Sequence, residues 1–120
     1  MTIEADYIKD FARFLYSSRF KDLLPFSFKA IVNLKDDSYF VSCVDTLDQG
    51  IELMVFKMYN KAEEKLGKNF ASREPLFELP KYEEADWSAL YQTTYDSIEE
   101  ASDGFDYVIT NLQEVLNDKA

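Results

Sequence analysis

Between Phe26 and Leu34, apolar side chains occur at every second position of the chain. They alternate with residues that are mostly polar, and this two-residue period is that of a β-strand with one buried face. The apolar positions are Phe26, Phe28, Ala30, Val32 and Leu34. The segment therefore predicts a sheet that packs one face against a core.

Two further strands are predicted after this one. Lys35 to Ser38 has the composition of a turn, and Tyr39 to Asp45 is rich in β-branched and aromatic residues. Ile51 to Met58 is predicted as a third strand, antiparallel to the second. Thr46 to Gly50 is typical of a turn, and a glycine weakens a helix interior by about 1 kcal/mol. The apolar residues of 38–66 also fit one stripe of a long helix, so an all-α bundle is the alternative.

The remaining segments before residue 96 are mixed. Helical spacing predicts a first helix from Thr2 to Leu15, with one further turn before Pro25. Asn60 to Lys68 is predicted as a short exposed helix ended by Gly67. Asn69 to Ala85 has no clear period and is predicted as a long surface loop of the kind that often carries function. Trp87 to Tyr95 is predicted as a fourth strand.

The last element has the clearest pattern. Ser97 and Glu100 form a capping box, and apolar residues then recur at helical spacing up to Leu116. Gly104 is unusual inside a helix, and a close contact with the sheet would explain it. These elements predict one domain, residues 1–120, with an α+β fold. It comprises an N-terminal helix, an antiparallel sheet of three or four strands and a long C-terminal helix packed on that sheet.

The composition excludes several classes of function. The net charge is −10, whereas a DNA- or RNA-binding domain needs a basic face to displace counterions from phosphates. The chain has no histidine and one cysteine, which excludes histidine chemistry, an internal disulfide and a multi-cysteine metal site. No apolar run approaches the roughly 20 residues of a membrane helix, and the N-terminus lacks the form of a signal peptide. The chain is therefore expected in the cytoplasm.

No catalytic constellation is visible. Cys43 lies among valines without a histidine to activate it, so it is predicted to be a buried thiol. Adjacent carboxylates are predicted to be solvated, and three glycines are too few for a phosphate-binding loop. Tyr91, Tyr95 and Tyr107 are predicted to make cross-strand and core contacts. No catalytic, cofactor or metal site is predicted, and the chain is predicted not to be an enzyme.

The negative charge is concentrated in the last third of the chain. Residues 1–77 contain 12 acidic and 11 basic residues, whereas residues 78–120 contain 11 acidic residues and only Lys81 and Lys119. The last 43 residues therefore carry −9 of the total −10. Such a cluster creates a field that attracts basic partners, although it is also what a soluble acidic helix looks like.

Four short segments also carry a resemblance. They are Tyr39-Phe-Val-Ser-Cys-Val, Gly50-Ile-Glu-Leu-Met-Val-Phe, Asp86-Trp-Ser-Ala-Leu-Tyr and Tyr95-Asp-Ser-Ile-Glu-Glu-Ala. In this order they resemble a group of small phage and prophage proteins of unassigned function, with an "ETMVF"-like strand, a "DW..LY" segment and a "YDTEEEA" helix start. The resemblance covers about residues 39–109, apart from an insertion at 60–83. It implies a mobile-element origin and strands at 39–58.

These observations predict a small acidic inhibitor of a host nucleic-acid-handling protein. It would occupy the basic groove of that protein in place of nucleic acid, as anti-CRISPR and antirestriction proteins do, without binding nucleic acid or membrane itself. The alternatives are an immunity protein that neutralises a basic toxin nuclease and a structural or accessory interaction module. The residues predicted to bind the partner are Glu83, Glu84, Asp86, Asp96, Glu99, Glu100, Asp103, Asp106, Phe77, Tyr82, Trp87 and Tyr91.

Overall fold

The computed structural model describes residues 27–45, 50–69 and 80–119, most of which form one antiparallel sheet of five strands. The strands are β1 (Ser27–Leu34), β2 (Asp37–Asp45), β3 (Ile51–Met58), β4 (Lys65–Asn69) and β5 (Ala85–Tyr95), in the spatial order β4-β1-β2-β3-β5. A short 3-10 helix (Tyr82–Glu84) precedes β5, and two helices follow it, α1 (Ile98–Thr110) and α2 (Leu112–Lys119). The helix predicted over Thr2 to Leu15, the turn before Pro25 and most of the loop predicted over Asn69 to Ala85 lie outside the described residues.

The predicted fold class is wrong. We expected three or four strands with one long C-terminal helix, whereas the described part is mainly a five-stranded sheet and its C-terminal part is two short helices. The alternative, an all-α bundle, is also wrong, because 38–66 contains the paired strands β2 and β3 rather than one helix. Residues 38–66 contain the β2–β3 hairpin rather than a long helix because β3 pairs on both sides, with β2 and with β5.

The single C-terminal helix is interrupted at Asn111. The backbone N–H of Asn111 donates to Tyr107 O at 2.9 Å, and its side-chain amide donates to the same carbonyl at 3.1 Å. Its φ of −118° and ψ of 34° leave the helical region. An asparagine whose side chain bonds nearby backbone competes with the regular helix in this way, so α1 ends at Thr110 and α2 starts at Leu112.

The first three strands are confirmed, and local chemistry explains how they connect. β1 and β2 pair through a tight turn at Lys35, which adopts a left-handed φ of 54°. Gly50 leads into β3 with a φ of 90°, a conformation that glycine adopts without steric cost. The fourth predicted strand, Trp87 to Tyr95, is confirmed within the longer β5.

The short helix predicted over Asn60 to Lys68 is wrong. Lys65–Asn69 is instead the edge strand β4, which pairs with β1 from Ile31↔Lys65 to Ser27↔Asn69. Helix propensity is a weak preference per residue, whereas this pairing satisfies the backbone groups of β1 on a side that would otherwise be an open edge. Tertiary pairing therefore overrides the local composition.

The sheet has buried side chains on both faces. We call first face the one that packs on α1 and α2. Its core residues are Phe28, Ala30, Val41, Cys43, Ile51, Leu53 and Val55, joined by Ala101, Phe105, Val108, Leu112 and Val115 from the helices. The opposite, second face carries a separate core formed by Ile31, Phe40, Val44, Met54, Phe56, Met58, Ala85 and Trp87. Side chains alternate strictly between the two faces along β1, β2 and β3, so each of these strands contributes residues to both cores.

A large bulge lets β5 contribute to both cores. Val55 pairs with Tyr91 but Lys57 pairs with Asp86, so four residues of β5 stand opposite Phe56 alone. The odd number of extra residues reverses which way the alternating side chains point. Before the bulge, Trp87 packs in the second core, whereas Tyr91 after it packs against the first.

Two local contacts attach α1 to the end of β5. Ser97 is the N-cap, and its hydroxyl accepts the backbone N–H of Glu100 and donates to the Glu100 carboxylate, both at 3.1 Å. Gly104 lies against the ring of Tyr95, and a Cβ at this position would be only 2.6 Å from Tyr95 Cε1. The close contact predicted for Gly104 is therefore confirmed.

Candidate partner-binding surface

Helix α1 presents one side to the core and the other to solvent. Ala101, Phe105 and Val108 are buried in the first core, and these positions lie on one side of a helix with 3.6 residues per turn. Phe105 is fully buried and its ring centroid lies 5.3 Å from that of Phe28 in β1. This packing determines which residues of α1 point outward.

The outward side of α1 is acidic. Glu99, Glu100, Asp103 and Asp106 are exposed and lie within about 120° of one another around the helix axis, opposite the buried residues. We call these four residues the acidic stripe. Asp96, also exposed, lies just before the helix. No lysine or arginine occurs in α1.

The average axial spacing of the acidic stripe is close to that of phosphates along a nucleic-acid strand. At 1.5 Å of rise per residue, the axial steps between Glu99, Glu100, Asp103 and Asp106 are about 1.5, 4.5 and 4.5 Å, an average of about 3.5 Å. Phosphate charges along one strand of B-DNA follow one another about every 3.4 Å along the axis. The stripe thus offers a basic groove a similar linear density of negative charge.

Three other predicted acidic residues form a separate group at the start of β5. Glu83, Glu84 and Asp86 are exposed around the start of β5, whereas Asp96 lies just after its end. The two ends of β5 pair with Met58 and Ile51 of β3, which are seven residues apart. At about 3.3 Å per residue, the two ends are therefore about 23 Å apart. That distance exceeds the Debye length of about 8 Å at physiological salt, so the two groups act as separate fields. The structure does not bring the eight predicted carboxylates into one surface.

The two acidic groups also differ in what they do locally. Glu84 Oε1 accepts the backbone N–H of Lys81 at 2.7 Å, and Asp86 Oδ1 accepts that of Ser88 at 3.0 Å. These bonds shape the entry into β5. In the acidic stripe, Glu100 has the corresponding structural role at the N-cap. The group at the start of β5 is therefore explained in part by local structure.

Two of the four aromatic residues predicted to bind a partner have described side chains, and neither is fully exposed. Trp87 is 7% exposed and packs on Phe56, with ring centroids 4.8 Å apart, and edge-on against Phe40. Tyr91 is half-buried against the first core. Phe77 and the side chain of Tyr82 lie outside the described residues. Of the aromatic candidates, Trp87 thus belongs to the interior and Tyr91 largely so.

An exposed aromatic residue that we had assigned to the core lies beside the acidic stripe. Tyr107 is 54% exposed, and it follows Asp103 by four residues, which places it on the same side of α1. Its predicted core contact is therefore wrong, whereas Tyr91 and Tyr95 pack against the first core as expected. The helical spacing from Asp103 could have revealed this, because Tyr107 shares the angular position of the acids rather than of Phe105.

The cysteine and a nearby tyrosine have strongly perturbed pKa values. Cys43 is a buried free thiol, as predicted, and burial raises its pKa to about 12. Burial also raises the pKa of Tyr95 to about 12, with smaller contributions from Tyr91 and Cys43. Since the thiolate is the reactive form of cysteine, burial suppresses nucleophilic chemistry at Cys43.

Two other features were not predicted. Glu52 of β3 is only 4% exposed on the second face, a position that alternation alone could have revealed because it shares the parity of Met54. An open cleft of about 360 Å³ lies where β1, β4 and the end of α1 meet, with Leu66 and Ile109 among its walls. None of the predicted partner-binding residues lines this cleft.

Within residues 27–45, 50–69 and 80–119, no group of three or more metal-ligating side chains is present.

The helices of the described chain are all too short or too polar to cross a membrane. No family model, curated protein or solved structure matches the chain. The functional argument therefore rests on the surface described above.

Proposed function

We propose that the protein is a small acidic inhibitor that occupies the basic groove of a nucleic-acid-handling protein through the acidic stripe. The observation that carries this proposal is the series of four exposed carboxylates on one side of α1, in a helix that contains no basic residue. A helix anchored by Phe105 fixes the backbone that carries them, so binding a partner has to order only the side chains of the stripe.

The partner in this proposal is a protein with a groove lined by lysine and arginine. Tyr107 would add apolar contact area at the end of the acidic stripe, since exposed tyrosines are enriched at protein interfaces. A phage origin and action in the host cytoplasm belong to the same proposal and follow from the resemblance in 39–109. An anti-CRISPR or antirestriction protein is the class that combines these features, and an immunity protein against a basic nuclease would use the same surface.

A charge-reversal variant tests the proposal. Glu99→Lys, Asp103→Lys and Asp106→Lys together reverse three charges of the acidic stripe while leaving the N-cap pair of Ser97 and Glu100 intact. The protein is used as bait in a host lysate, and the captured proteins are challenged with single-stranded and duplex oligonucleotides. We expect a nucleic-acid-binding protein that is released by oligonucleotide and by moderate salt, and that the variant no longer retains.

The matched control reverses three exposed glutamates outside the acidic stripe, Glu63→Lys, Glu64→Lys and Glu114→Lys. Both variants change the net charge from −10 to −4, so they differ only in where the charge lies. The control is expected to retain the partner. Retention by both variants, or capture only of proteins that do not bind nucleic acid, would contradict the proposed function. Circular dichroism confirms that both variants are folded.

A further inference from the structure

Glu52 occupies a position that is unusual for a carboxylate. Among the described residues it is the one buried acidic side chain, and in the sheet it lies between Val44 of β2 and Thr94 of β5. Gln92 Nε2 donates to its Oε1 at 3.0 Å. Its Oε2 is buried and accepts no hydrogen bond from the described residues. A buried carboxylate oxygen without a donor is unfavourable when the group is ionised.

The electrostatic surroundings do not compensate for this burial. Loss of hydration raises the pKa of Glu52 above its ordinary value of 4.5, and the neighbouring polar side chains of Gln92 and Thr94 lower it only in part. On the second face, the facing residues of β2 and β5 are uncharged, and the buried Lys29 lies on β1, two strands from Glu52. Asp96, two residues beyond Thr94, is itself acidic. The helices α1 and α2 pack on the opposite face.

The part of β5 that pairs with β3 beside Glu52 is separated from the rest of β5 by the bulge. The bulge at residues 87–90 divides β5, so Tyr91 to Tyr95 pairs with Val55 to Ile51 independently of the pairing before the bulge. Within the described chain, β5 is an edge strand that pairs with β3 alone. Its residues on the second face, Gln92 and Thr94, are already exposed. Separation of this half-strand would remove Gln92 and Thr94 from beside Glu52 and admit water to the carboxyl group on that side, without dismantling β1, β2 and the first part of β5.

We propose that the protonation state of Glu52 controls how tightly Tyr91 to Tyr95 of β5 stays paired with β3. With the carboxyl protonated the half-strand stays paired, and with the carboxylate ionised it opens more often. Because the N-cap Ser97 is only two residues beyond Tyr95, opening also loosens the start of α1. This pH-dependent opening of the half-strand does not depend on whether the acidic stripe binds a partner.

The sign and size of the effect follow from linkage between proton binding and opening. In the open state water reaches Glu52, which titrates closer to 4.5, whereas in the closed state it holds its proton to higher pH. The opening equilibrium is therefore constant at low pH and rises up to tenfold per pH unit between the two pKa values. Above the closed-state pKa it is constant again.

Native-state hydrogen exchange measured by NMR between pH 4 and pH 8 tests this proposal. After correction for intrinsic exchange, protection of the amides in the Ile51–Val55 and Tyr91–Tyr95 ladder is expected to fall with pH and then level off. The β1–β2 ladder provides an internal reference and is expected to change less. In Glu52→Gln, which keeps the shape of the side chain, the pH dependence of the β3–β5 ladder is expected to disappear.

Glu83→Gln is the matched control, because Glu83 is an exposed carboxylate at the other end of β5. It is expected to keep the wild-type profile. The same pH dependence in Glu52→Gln as in the wild type, or no pH dependence in the wild type, would overturn the proposal. Should Glu52→Gln fail to fold, the carboxyl ¹³C shift of Glu52 in the wild type decides directly. A midpoint above 4.5 supports the proposal, and a midpoint at or below 4.5 refutes it.

Discussion

The two faces of the sheet are built from the same strands, but different kinds of side chain pack on them. On the first face, apolar side chains meet apolar residues of α1 and α2, and Phe28 and Phe105 lie at the contact. On the second face, the rings of Phe40, Phe56 and Trp87 pack together near one end, while Glu52 is buried further along the same face. The first face thus shows ordinary core formation. The second combines a tight aromatic cluster with a buried carboxyl group, so we expect its contribution to stability to depend on pH.

The largest expected effect comes from removing the aromatic anchor of the first face. Phe105→Ala is expected to lower the free energy of unfolding by about 3–5 kcal/mol, because it deletes a fully buried ring. Urea unfolding measures this loss. The native emission of the single tryptophan, Trp87, is expected to stay unchanged because Trp87 packs on the other face.

Phe56→Ala is the counterpart on the second face, where Phe56 contacts Trp87 directly. This variant is expected to shift the native tryptophan emission. An equal emission shift in Phe105→Ala would show that the two cores are not separate, and the comparison between the faces would fail.

A smaller effect is expected where α1 touches β5. Gly104→Ala places a Cβ against the Tyr95 ring, so it is expected to destabilise the protein by about 1–3 kcal/mol. Alanine would otherwise favour a helix interior by up to about 1 kcal/mol over glycine. The substitution is therefore expected to become much less costly, or stabilising, in a Tyr95→Leu background.

The double-mutant cycle of Gly104→Ala and Tyr95→Leu, measured by urea unfolding, separates these terms. Ser102→Ala, on the same helix, is the control for propensity alone. A Gly104→Ala variant that is as stable in the wild-type background as in the Tyr95→Leu background would contradict the close contact.

The smallest expected change in global stability concerns Glu52. Its pKa is raised in the folded state, so the folded protein binds this proton more tightly than the unfolded chain does. Its contribution is therefore fully present below pH 4.5 and is lost as the pH rises through the folded-state pKa. Glu52→Gln is expected to lack this loss, so its stability relative to the wild type should increase with pH and then level off. Urea unfolding at several pH values measures the difference, and a constant difference across pH would contradict it.

Part of the fold and of the candidate surface could be predicted from the sequence. The two-residue period predicted β1, and Gly50 marked the start of β3, because both signals depend only on neighbours in the chain. The N-cap at Ser97 was predictable for the same reason. The edge strand β4 was not, because its pairing with β1 joins residues far apart in the chain and overrides a helical composition.

The candidate surface divides in the same way. The sequence by itself determined that the last third of the chain is acidic and that the residues of the acidic stripe share one side of a helix, since helical spacing is a local property. Only the tertiary structure decided that Glu83, Glu84 and Asp86 lie at the far end of β5, because the path of the sheet sets that distance. It also decided that Trp87 is interior and that Glu52 is buried. Burial depends on which strands and side chains meet across the sheet, and a linear pattern does not contain that information.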